Sequence, residues 1–139
     1  MDSLFTSLER KRDALKVSLI KLAKKASGGV PILVEGMNDL IALNRLGIRG
    51  EIVCVKDSNK VLVDLLDSVK GKEVIVLVDF DRAGERLAER IVTYLQKRGV
   101  NADYSFWKRI GSLVKHDVKD VEGLPSYLKT IEGTLKKQL

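Results

Sequence analysis

The apolar run Val74-Ile75-Val76-Leu77-Val78 constrains this chain more than any other feature, because it ends directly on Asp79-Phe80-Asp81. A continuous run dominated by β-branched residues suits a strand covered on both faces, which is the environment of a parallel sheet. Parallel strands need crossover segments, and the sequence supplies them by alternation. Residues 30–34 read as a first strand, followed by a helix through Leu40-Ile41-Ala42-Leu43 that ends near Gly47. Residues 51–55 read as a short second strand, and residues 61–69 as a helix closed by Lys70-Gly71-Lys72. A long helix follows the central run over about residues 83–98, with apolar Leu87, Ala88, Ile91, Val92 and Leu95, and Gly99 behind it. Residues 100–106 supply a fourth strand. Short links between these elements predict an α/β, Rossmann-like fold of about four parallel strands flanked by helices.

Both flanks differ from this centre. Residues 1–29 read as a basic amphipathic helix, with Leu4, Leu8, Leu15, Leu19, Leu22 and Ala26 on one stripe. Arg10, Lys11, Arg12, Lys21, Lys24 and Lys25 lie largely on its other faces, and Ser27-Gly28-Gly29 stops it. After Trp107 the pattern weakens, with a helix expected over residues 126–139. The expected division is therefore an N-terminal helix (1–29), a central domain (30–106) and a C-terminal extension (107–139), packed as one compact unit. Of the net charge of +6, residues 1–29 carry +4, residues 30–107 carry −1 and residues 108–139 carry +3. Basic flanks beside an acidic site suit a polyanion that reaches carboxylates through metal ions. A well-solvated surface is the plainer reading of a chain that is 32% charged. The single Cys54 lies in the apolar run Ile52-Val53-Cys54-Val55 and reads as a core filler in a reducing cytoplasm. Nothing approaches the ~18 apolar residues of a membrane span, and no signal-peptide block is expected.

Two motifs stand at strand ends. In Leu33-Val34-Glu35-Gly36-Met37-Asn38-Asp39, a carboxylate and a glycine interrupt an apolar strand as it turns into a helix. In Val78-Asp79-Phe80-Asp81-Arg82-Ala83-Gly84, two carboxylates follow the most hydrophobic strand. Residues two apart in extended chain point to the same side, so Asp79 and Asp81 can share a cation. Open α/β sheets bind ligands beyond the carboxyl ends of strands, where connections switch direction. If the first and third strands are neighbours, Glu35 joins the aspartates there. Three carboxylates in one cleft repel, and a divalent cation removes that difficulty. All-oxygen ligands favour Mg²⁺, with Mn²⁺ as the alternative. Gly36 and Gly84 allow close approach of a phosphate or metal. Arg82 and Arg86, one helical turn apart, either contact phosphate or pair with Glu85 and Glu89. Asp39 reads first as a helix cap, Asp120 and Glu122 as a polar loop, and His116 as a surface residue. Tyr94, Tyr104 and Tyr127 read as packing residues.

Val34-Glu35-Gly36 with Asp39, and Asp79-x-Asp81 with Gly84, resemble the Toprim domain shared by topoisomerases of types IA and II, bacterial-type primases and certain nucleases. The first motif is most similar to the primase version, and Asp81-Arg82-Ala83-Gly84-Glu85 to the type IA topoisomerase version. The resemblance covers roughly residues 30–105. It implies Mg²⁺ bound by the acidic triad, with Glu35 as general acid/base and Asp79 and Asp81 as metal ligands. There is no strand-passage body, tyrosine-bearing domain, zinc module or polymerase subdomain, so the chain looks like a small stand-alone Toprim protein.

The expected function is Mg²⁺-dependent phosphodiester chemistry on RNA or DNA, as a nuclease or nucleotidyl transferase. A non-catalytic adaptor that binds metal and nucleic acid within a larger processing assembly is the alternative. Small size favours a homodimer or such a complex as partner. A haloacid-dehalogenase-like phosphatase fits less well, since its Asp-x-Asp expects Thr or Val where Ala83 stands, and a later acidic pair after a strong strand.

Overall fold

The first apolar stripe forms helix α1, Ser3–Ser27, in the computed structural model, which describes residues 3–56 and 60–137. Leu15, Leu19, Leu22 and Ala26 repeat at helical spacing, are buried, and pack α1 against the last two helices of the chain. The stripe is buried only from Leu15 onward. Leu4, expected on the same apolar face, is 74% exposed, whereas Leu8 is partly buried. Gly29, at φ +99°, turns the chain into the sheet.

Alternation then proceeds as β1 (Ile32–Val34), α2 (Met37–Arg45), β2 (Ile52–Cys54), α3 (Leu62–Asp67), β3 (Glu73–Val76), α4 (Arg82–Lys97) and β4 (Asn101–Asp103). Helices α5 (Ser105–Val114) and α6 (Leu124–Lys137) complete the described chain. The helix expected over 126–139 is thus found, its last two positions lying outside the described residues. Among the described residues, the strands form one wholly parallel sheet in the order β2-β1-β3-β4. The chain is an α/β protein with helices on both faces of that sheet.

Period-two alternation sorts the faces. Ile32, Val34, Ile75 and Leu77 point into a core with α1, α2, α5 and α6. Leu33, Val74, Val76 and Val78 point into a second core with α3 and α4. The central run is buried on both sides, as its continuous hydrophobicity requires.

The fourth strand is shorter than the expected 100–106. The Asp103 Oδ1 accepts the Ser105 N–H at 2.8 Å, and this local turn ends the strand and starts α5. Phe106 and Trp107 therefore sit on a helix rather than on the sheet. That helix lies where the sequence pattern was weakest.

Candidate functional site

The connection leaving β1 runs over one face of the sheet through α2, and the connection leaving β3 runs over the other through α4. Because β1 and β3 are hydrogen-bonded neighbours, a crevice opens between their carboxyl ends. Glu35 follows β1 directly, and Asp79 follows the extended stretch after β3.

Backbone pairing builds the site. The Ile75 N–H donates to the Pro31 carbonyl and the Leu77 N–H to the Leu33 carbonyl, both at 2.8 Å. The next donor in this ladder is the Asp79 N–H. By then the first chain has turned away, its Glu35 carbonyl accepting from Lys56 N–H at 2.8 Å. The Glu35 side chain takes the vacant place, with Oε2 accepting the Asp79 N–H at 2.7 Å. Its other oxygen, Oε1, lies 2.7 Å from the Lys56 ammonium. Glu35 is buried, yet both of its oxygens are satisfied.

Asp79 is held differently. Burial pushes its carboxyl up to about 7, helped by the neighbouring Glu35 charge, a hydrogen bond with Glu35, and the charges of Asp39 and Asp120. Lys56 is raised by its bond to Glu35 and by the charges of Glu35, Asp79 and Asp81. Its ammonium is the local counter-charge of the crevice. Asp81, the third member, is exposed and caps α4, with Oδ1 accepting the Gly84 N–H at 2.7 Å. Among the described residues, its second oxygen accepts no hydrogen bond. Among the described residues, no three carboxylates are already gathered as a ligand set.

Asp39 is the helix cap expected from sequence, and more. Its Oδ2 accepts the Gly36 N–H at 3.1 Å, while Oδ1 accepts the Glu122 N–H at 2.9 Å. Buried beside the site, it is raised by desolvation, opposed by those two donors. Asp120 caps its own turn through the Gly123 N–H, as expected of a polar loop, but lies near enough to act on Asp79. His116 is exposed. The Tyr94 and Tyr127 hydroxyls donate to Asp67 and Asp117, and the Tyr104 ring lies 4.5 Å from the Lys108 ammonium.

The segment after β4 also belongs to the site. Trp107 Nε1–H donates to the Asp79 carbonyl at 2.9 Å, and the Phe80 N–H donates to the Lys119 carbonyl at 2.7 Å. These bonds hold the Asp79-Phe80 peptide from both sides. Gly84 lies under it: a Cβ there would stand 1.9 Å from the Asp79 carbonyl oxygen. Gly84 thus serves close approach of α4 to the Asp79 backbone.

Lys56, Trp107 and the Lys119 carbonyl escaped the sequence reading. For Lys56 a signal existed, since it ends the second strand beside Glu35, just as Asp79 ends the third. Lys25 pairs with Glu73 and Asp103 at 2.7 and 3.2 Å, towards the amino end of β3, at the sheet edge away from Glu35.

The raised Asp79 has a measurable consequence in metal-free protein. Its folded-state pKa lies above the unfolded value, so its contribution is complete at low pH and is lost as pH rises through about 7. Asp79 keeps contact with solvent, so the loss is on the order of 1–2 kcal/mol between about pH 4 and about pH 8. Asp79→Asn should remove this slope. Urea denaturation across that range, with a chelator present, checks it; equal slopes in both proteins would contradict the assignment.

Residues 32–121 match the family described as Toprim-like. A UPF0292 protein of Thermococcus kodakarensis is 39% identical over 101 residues, covering 72% of this chain and 75% of its own. A UPF0292 protein of Methanosarcina barkeri is 30% identical over 131 residues, covering 91% and 90%. Among solved structures, a protein from Aquifex aeolicus matches with a TM-score of 0.61 at 31% identity, covering 76% of this chain and 93% of that one. Membership is therefore established by sequence and fold alike, and the chain belongs to the Toprim-like family, whose domains generally bind Mg²⁺ and act in association with nucleic acid.

Proposed function

We propose that the crevice holds Mg²⁺ on Glu35, Asp79 and Asp81 and acts on phosphodiester bonds of RNA or DNA. The observation that carries this reading is the pairing of Glu35 with the Asp79 backbone at the switch point of the sheet, with a lysine ammonium 2.7 Å away. The donor set suits Mg²⁺, and Mn²⁺ as a substitute, because it is all oxygen. Charge supports the fit too. The metal-free crevice needs both the Lys56 ammonium and a raised Asp79 carboxyl to relieve carboxylate repulsion.

When bound, Mg²⁺ supplies charge that polarises a phosphate oxygen and stabilises the leaving oxygen. The chain's own residues do the rest. Glu35 is fixed at both oxygens, which sets it to take or give a proton at a defined point. Asp79 and Asp81 would hold the cation. Lys56 is placed to meet a phosphate oxygen beside Glu35. Arg82, at the first turn of α4, and the backbone around Gly36 are further candidates for phosphate contact.

Calorimetric titration with Mg²⁺ and Mn²⁺ tests the metal site. Wild-type protein should bind, and Asp79→Asn with Asp81→Asn should lose most of the heat. Labelled single- and double-stranded RNA and DNA, incubated with Mg²⁺ or with chelator, test the chemistry. Metal-dependent cleavage or joining that the double variant lacks is the expected result. Unchanged metal binding in the double variant would end the triad reading. Metal and nucleic-acid binding without any strand chemistry would favour the adaptor.

A further inference from the structure

Helices α3 and α4 leave a groove of about 580 Å³ between them on the sheet face away from α1. Its α3 side is apolar, with Leu62, Val63 and Leu66, and Val63 is 46% exposed. Its α4 side carries Arg86, Arg90 and Lys97, against Glu89 as the acidic member of the lining. Spacings of four and seven residues place these cations on one helical face, and Arg82 continues the row to the start of α4. The row thus begins next to Asp81 and runs about 22 Å along the helix axis. Among the described residues, none of these four cations lies within salt-bridge distance of a carboxylate, although Glu85 and Glu89 are on the same helix. Arg98, the C-cap of α4, pairs with Asp67 instead.

Among the described residues, this is a row of cations without a carboxylate partner beside an apolar wall, which suits a polyanion that also offers apolar faces. Duplex nucleic acid presents phosphates but hides its base faces, whereas a single strand presents both. The Tyr94 hydroxyl donates to Asp67, and the residue lines the groove with its aromatic body.

We propose that the α3–α4 groove binds single-stranded nucleic acid, its phosphates along Arg86, Arg90 and Lys97 and its bases against Val63 and Tyr94, leading the strand away from the acidic crevice. This rests on the nucleic-acid reading of the crevice and adds the form of the substrate and its path.

The test is fluorescence anisotropy of a labelled, mixed-sequence single strand with the full chain, in chelator, across a salt series. Combined Arg86→Ala, Arg90→Ala and Lys97→Ala should weaken binding about tenfold or more. The slope of log K against log salt should become shallower by about 2, at about 0.7 per phosphate contact. Val63→Ser, at an exposed position, should weaken binding about threefold with the slope unchanged. Matched duplex and poly-L-glutamate should compete poorly. Wild-type affinity and slope in the triple variant overturn the groove, and leave the crevice to its own metal titration. Equal competition by duplex overturns the single-strand assignment, and equal competition by poly-L-glutamate overturns nucleic acid as the ligand. A wild-type protein that binds no strand overturns both this groove and the nucleic-acid reading beneath it.

Discussion

Gly84→Ala is expected to destabilise the protein by about 3 kcal/mol or more, despite alanine's advantage in a helix. Alanine normally gains up to about 1 kcal/mol over glycine at a helix interior position. Here the added Cβ would stand 1.9 Å from the Asp79 carbonyl oxygen and 2.8 Å from its carbon. Those are backbone atoms, and Trp107 and Lys119 hold the same peptide from other directions. The clash cannot be relieved by rotating a side chain, so α4 or the Asp79 loop must shift. Gly133→Ala in α6 is the matched control, since nothing lies within 4 Å of its Cβ position. That variant should be neutral or stabilised by up to about 1 kcal/mol. Urea denaturation of both compares the two directly. If Gly84→Ala were as stable as wild type, the close approach of α4 to the Asp79 backbone would be wrong.

Glu35→Gln is expected to lower any phosphodiester activity by ~10²–10⁴-fold while the protein remains folded. The amide keeps one oxygen for the Asp79 N–H, so the last rung of the β1–β3 ladder survives. It cannot carry the proton or the negative charge, and Lys56 loses its ion-pair partner. Removing the charge also relieves part of the push on Asp79, whose carboxyl should move back towards the ordinary aspartate range while burial still raises it. Two measurements separate proton transfer from metal binding. A rate loss with Mg²⁺ affinity largely kept makes Glu35 the acid/base, whereas a loss of Mg²⁺ heat equal to that of the aspartate variants makes it a ligand first. Wild-type rates would remove Glu35 from the chemistry.

How much of this was legible varies with the range of the forces involved. The run Val74-Ile75-Val76-Leu77-Val78 announced a doubly covered strand, because burial of consecutive apolar residues is a local signal. Glu35 and Asp79 were legible as neighbours only on the condition that β1 lies beside β3, which the strand order satisfies. The start of α5 was not, since it depends on one turn in which Asp103 accepts the Ser105 N–H. The place of Lys56 at the end of β2 is legible, but its nearness to Glu35 depends on β2 lying beside β1. The α1 lysines drew attention through net charge, which carries no direction; Lys25 in fact binds acidic partners within the fold. Glu122 reaches Asp39 through its backbone N–H rather than through its carboxylate, and backbone donors leave no trace in residue identity.

The carboxylate of Glu35 does the work of a main-chain carbonyl, and that ties chemistry to assembly. A side chain that completes a sheet cannot be positioned before the two strands it joins have met. Glu35 and Asp79 lie 44 residues apart in sequence, and α2, β2 and α3 intervene between their strands. A chain that lacks this strand pairing lacks the backbone donor that holds the Glu35 carboxylate. On the proposed function, the group that handles the proton is therefore set in place only by the native strand pairing.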